Sequence, residues 1–163
     1  IGRRLAHLTG GTFQTLNTPA ILPDPETCSR LLALDQVRAV MAALARAEVA
    51  FVGVGTLANS VFMERKALTV RDLEALRAAG AVGEILGRFY DAEGRECASP
   101  LRDRVVSLGL DELRSVANVV AVVSGADRGP AIRAAVRGGL LKTLVIDQAG
   151  AEAVLAAGRE PAE

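Results

Sequence analysis

The sequence predicts an α/β fold, a parallel sheet with helices on both faces. Three observations carry this. Three uninterrupted apolar runs, residues 49–54, 119–123 and 144–146, consist of strand-forming residues with no polar alternation, the signature of buried parallel strands. Segments of helical period lie between and after them, as crossover connections require. The 163 residues are 50% hydrophobic and 23% charged with a mean hydropathy of +0.29, enough to build a sizeable core in one domain.

Taken in order, Gly2–Thr9 reads as a helix stopped by Gly10-Gly11, and 12–16 as a short strand. The stretch 17–25 holds three prolines and is read as an extended loop. Residues 26–34 and 35–46 are helical. In the second, Val37, Val40, Met41, Leu44 and Ala45 share one face. The first buried strand, 49–54, closes at Gly55-Thr56. Thr69-Val70-Arg71-Asp72 has the form of a capping box, opening a helix that ends at Gly80. Residues 85–91 and 95–98 flank Ala92-Glu93-Gly94 and predict a small β-hairpin insertion, with Asp91 as a turn residue. A further strand is expected over 104–108 and a short helix from Asp111. The strand 119–123 closes at Ser124-Gly125, a helix covers 131–136, the strand 144–146 closes at Asp147, and a last helix runs over 149–157.

Composition excludes several functions. Lys plus Arg and Asp plus Glu are both 19, so no basic stripe for nucleic acid or an anionic membrane is expected in this segment. Aromatics are 3% with no Trp, which argues against a base-stacking platform. No run of eighteen apolar residues exists, and no membrane partner is expected. Cys28 and Cys97 fit no metal or redox spacing and read as cytoplasmic thiols, and His7 is the only histidine. Neither a metal site nor a cofactor is expected, and a histidine-dependent hydrolase triad is disfavoured. The sequence begins at Ile1 inside a helical pattern, so it is expected to be part of a longer chain.

Ligands of open α/β sheets bind beyond the carboxyl ends of the strands. Here those ends are Gly53-Val54-Gly55-Thr56, Ser124-Gly125-Ala126-Asp127-Arg128 and Asp147-Gln148. Glycines there let backbone N–H groups approach an anion, and Arg128 could hold a phosphate. The same glycines also serve simply to turn the chain, and no complete dinucleotide or P-loop motif is present. Gly80-Ala81-Val82-Gly83-Glu84 places an acid where it could accept from sugar hydroxyls, or where it simply follows a helix cap.

Five segments in order resemble the effector-binding domain of SorC/DeoR-type bacterial sugar-binding transcriptional regulators. They are Thr18-Pro19-Ala20, the strand end 51–57 with Ser60, the stretch 80–91, the stretch 131–139, and Leu144-Val145-Ile146-Asp147. The resemblance runs from about residue 5 to about residue 156. It implies a Rossmann-like fold related to sugar-phosphate isomerases, a sugar or sugar phosphate effector, no catalysis, and operator DNA bound through an N-terminal helix-turn-helix outside this sequence. It also implies that residues 1–163 are the C-terminal portion of the effector-binding domain, that the intact regulator is a homo-oligomer, and that it is cytoplasmic. The implied effector residues are Gly53, Gly55, Thr56, Ser60, Arg65, Glu84 and Arg128. Two positions depart from the family pattern: Arg128 stands where a lysine is usual, and Gln148 where an acid is usual. The alternatives are a sugar-phosphate isomerase-like enzyme, with Glu84 and Asp147 as nominal acid and base, and a purely structural oligomerisation domain.

Overall fold

The computed structural model describes residues 1–59, 62 and 67–156. Its helices are α1 (Gly2–Thr9), α2 (Pro25–Leu32), α3 (Asp35–Leu44), α4 (Val70–Ala78), α5 (Leu110–Ser115), α6 (Gly129–Arg137) and α7 (Gln148–Ala156). Its strands are β1 (Val49–Val52), β2 (Gly83–Ile85), β3 (Arg88–Tyr90), β4 (Asn118–Val123) and β5 (Thr143–Ile146), and short 3-10 turns cover Arg102–Arg104 and Ala126–Arg128. No helix among the described residues is long and apolar enough to cross a membrane.

The three apolar runs form one parallel sheet in the order β1-β4-β5, with Phe51 opposite Val120 and Val122 opposite Val145. The mixed α/β class and the parallel sheet are therefore as the sequence predicts. Burial along the strands differs. It alternates, with Val52, Val119, Ala121 and Val123 buried against α5 and α6, while Val49, Phe51, Val122 and Val145 are 49–66% exposed on the opposite face. The uninterrupted apolar runs suit two covered faces, and among the described residues only one is fully covered.

The main core joins Val52 and Val54, strand β4, Leu110, Leu113 and the buried side of α6 (Ala131, Ile132, Ala134 and Ala135). Tyr90 is fully buried in it and its hydroxyl donates to the Ala131 carbonyl at 3.1 Å, as a buried phenol must. A second cluster packs Leu76 of α4 on Phe89, Cys97, Leu101 and Val105. The capping box opening α4 is present: the Thr69 hydroxyl accepts from Asp72 N–H, and the Asp72 carboxylate accepts from Thr69 N–H at 2.9 Å.

Three expectations need correction. Residues 12–16 pair with no strand among the described residues. The segment 104–108 is not a strand either, apart from one bridge between Ile21 and Val105. Three of its carbonyls are spent elsewhere: Arg88 donates to those of Val105, Ser107 and Leu108, and also to that of Arg102 just before the segment, with Glu96 as its ion partner at 3.0 Å. The run 85–91 is not one strand. It breaks at Leu86-Gly87, where φ is 57° and 81°, into the antiparallel pair β2–β3. Two successive positive φ values make the tight turn that matches strand twist. The expected hairpin partner 95–98 contributes only a bridge, Tyr90 to Glu96, although the Asp91 side chain does accept from Glu93 and Arg95 N–H as a turn residue would.

Candidate functional site

A cavity of about 430 Å³ opens at the carboxyl ends of β1 and β4. The backbone of β1's end runs past β2, and Gly55 and Glu84 exchange both N–H···O bonds at 2.9 Å. That isolated bridge brings Glu84 beside Gly53-Val54-Gly55, although they are far apart in sequence. Glu84 is 8% exposed, and its carboxylate accepts from Gly87 N–H, pinning the Leu86-Gly87 turn. Here a non-glycine residue, Leu86, is held at positive φ, which costs about 1–3 kcal/mol and persists only where the surroundings enforce it.

The end of β4 supplies another part of the lining. Val122, Val123 and Ser124 form it, followed by Arg128 from the 3-10 turn at the start of α6. One guanidinium nitrogen of Arg128 donates to the Ser124 carbonyl. Its Nε is buried and has no hydrogen-bond partner among the described residues. Unsatisfied buried donors are rare in folded proteins, so this one invites an acceptor. Gly125, at φ 93°, does not leave its N–H free for a ligand anion. It donates to both Asp147 oxygens, at 3.1 and 3.2 Å, and the same carboxylate accepts from Gly150 N–H at 2.9 Å in the first turn of α7. The protein's own carboxylate thus occupies the anion position the sequence suggests at this strand end.

Gly53, Gly55, Glu84 and Arg128 all line this one cavity. Thr56 is not among its lining residues, and its hydroxyl accepts from Asn59 N–H at 3.1 Å. Ser60 and Arg65 lie outside the described residues. Sequence reasoning missed Asn59, Phe62, Leu86 and Gly87, which also line the cavity. Asn59 donates from its side-chain amide to Asp127, joining the loops that follow β1 and β4. Nothing in their local pattern marks Asn59 or Phe62, whereas Leu86-Gly87 sits inside the stretch that carries the resemblance. Among the described residues no group of three or more metal-ligating side chains converges.

This arrangement, a crevice at the ends of parallel strands lined by both a carboxylate and a guanidinium, is that of a small-molecule-binding α/β domain. Comparison with known proteins makes the class specific. Residues 1–156 match the Sugar-bind family model, that of a sugar-binding domain, and the chain belongs to that family. It is similar to the transcriptional regulator YjhU of Escherichia coli, 30% identical over 155 residues, covering 94% of this chain and 47% of that protein. It is similar as well to the erythritol catabolism regulatory protein EryD of Brucella abortus, 29% identical, covering 93% of this chain and 48% of that protein. Among solved structures, the sugar-binding domain of a transcriptional repressor from Vibrio fischeri is 30% identical with a TM-score of 0.87, covering 97% of this chain and 64% of that one. The chain therefore spans about half the length of the regulators it matches.

Proposed function

We propose that this chain is the C-terminal portion of the effector-sensing domain of a sugar-responsive transcriptional regulator. Its cavity takes a sugar or phosphorylated sugar without turning it over. In the full-length protein, binding alters the affinity for operator DNA held by an N-terminal helix-turn-helix. The single observation that carries the reading is that Glu84 and Arg128 both line one cavity in a member of the sugar-binding domain family. An ionised carboxylate only accepts, so it suits hydroxyl donors and repels phosphate. The guanidinium fork suits a phosphate oxygen or a sugar oxygen. Sensing is favoured over isomerisation because the second nominal acid–base group, Asp147, is not among the cavity's lining residues and its carboxylate is committed to the N–H groups of Gly125 and Gly150. The relatives, too, are named as regulators. A homo-oligomer in the cytoplasm fits the reading, since operator half-sites are read by symmetric assemblies.

Titration calorimetry on the full-length protein with sugars and their phosphates tests it. A charge-assisted contact is worth about 1.5–3 kcal/mol. Arg128→Ala is expected to weaken a phosphorylated effector roughly ten- to a hundredfold and its parent sugar far less. Glu84→Gln, which keeps an acceptor for Gly87, is expected to weaken both. Equal loss of both ligands on Arg128→Ala refutes the phosphate assignment, and turnover of any bound sugar phosphate refutes the sensor.

A further inference from the structure

We propose that Phe62 is a docking platform in this cavity and that it restricts the effector to a ring-closed sugar. The proposal rests on the sugar-binding reading above and specifies the class of sugar. The chain holds four Phe, one Tyr and no Trp. Phe89 and Tyr90 are buried in the core, Phe13 lies under the Arg3 guanidinium, and Phe51 sits on the exposed sheet face. Phe62 alone of these aromatic side chains lines the cavity.

Its position follows from the Leu86-Gly87 turn. A Cβ placed on Gly87 would lie 3.2 Å from Phe62 Cζ and 3.4 Å from Cε2, so the ring lies directly against that glycine. The N–H of the same Gly87 is the donor to the Glu84 carboxylate. Ring and carboxylate therefore flank a single backbone unit, and a ligand at this corner meets both at once. A closed sugar ring has two kinds of surface. Its hydroxyls point outward along the edge, where Glu84, Asn59 and Arg128 can bind them. Its axial C–H bonds form a face, weakly positive at the hydrogens, that complements the negative face of an aromatic ring. An open-chain polyol presents no fixed C–H face, and docking it also freezes several free rotors.

The test uses matched pairs that differ in ring closure: D-glucose against D-glucitol, D-ribose against ribitol, and glucose 6-phosphate against glucitol 6-phosphate. Each is titrated by calorimetry into full-length wild-type protein, Phe62→Trp, Phe62→Leu and Phe62→Ala. For at least one pair the ring-forming member is expected to bind wild type about tenfold more tightly than its acyclic partner. Phe62→Trp keeps that preference. Phe62→Leu, which keeps a bulky apolar side chain without the ring, abolishes it, as does Phe62→Ala. Acyclic members binding as tightly as cyclic ones overturns the proposal, as does a preference that survives in Phe62→Leu. Either result leaves the sugar-sensing reading standing. Absence of binding by every probe overturns that reading and this proposal together.

Discussion

At the scale of single residues, Arg104 links distant segments outside the cavity. It donates from Nη1 to Asp72 at 2.7 Å and from Nε to the Leu22 carbonyl at 2.9 Å, tying α4 to the loop that precedes α2. Asp72 is 4% exposed and the Arg104 side chain 13%. Burial alone would raise the Asp72 pKa. The hydrogen bonds from Thr69 and Arg104 outweigh it and hold the carboxyl below its ordinary 3.8. A carboxyl group lowered on folding stabilises the fold above its unfolded value, and that contribution is lost as the pH falls through the folded value. Arg104→Met leaves a buried carboxylate without its cation, so urea denaturation at pH 7 is expected to show a loss of about 3 kcal/mol. The difference between variant and wild type should shrink as the pH drops below 3.8.

At the scale of elements, the loop after β3 is locked onto the end of α6 by two glycines. A Cβ on Gly138 would lie 2.7 Å from Gly94 Cα and 2.9 Å from Gly94 O. Arg114 of α5 binds both carbonyls, Gly138 O at 2.8 Å and Gly94 O at 2.6 Å. Gly138 has ordinary helical backbone angles, so only the close approach demands glycine. Gly138→Ala must push the two backbones apart, and a cost of about 1–3 kcal/mol is expected from the shift of its denaturation midpoint. Much of this level was legible in advance. The apolar runs gave the parallel strands, and Thr69 with Asp72 gave the start of α4. What escaped was set by distant partners. The 104–108 segment has strand composition, but the Arg88 guanidinium takes its carbonyls. Leu86-Gly87 carries no Asn or Asp to announce a turn, and its positive φ values are held by the side chain of Glu84. The cavity shows the same division. Its glycines, Glu84 and Arg128 stand in recognisable segments, whereas Phe62 and Asn59 stand in no local pattern that marks them.

At the scale of the whole molecule, the sheet presents Phe51, Val122 and Val145 outward, and β1 and β5 are its edge strands among the described residues. An apolar face beside an open strand edge favours association. Residues 1–163 on their own are expected to sediment as concentration-dependent oligomers. Phe51→Ser combined with Val145→Thr should shift them toward monomer with an unchanged far-ultraviolet circular dichroism spectrum. Dissociation indifferent to these substitutions would place the contact elsewhere.

The order of the sheet also sets an order in time. β4, α6 and β5 are consecutive, so their pairing closes a short loop. β1 must find β4 across the whole stretch from Val49 to Asn118, a search that costs more chain entropy before any contact repays it. Folding is therefore expected to nucleate in the C-terminal β-α-β unit and recruit β1 late. The cavity draws part of its lining from the end of β1, part from the β2–β3 turn and part from the end of β4. It is complete only after that slow closure, which makes it the youngest part of the folded chain and the first to dissolve when the chain begins to open.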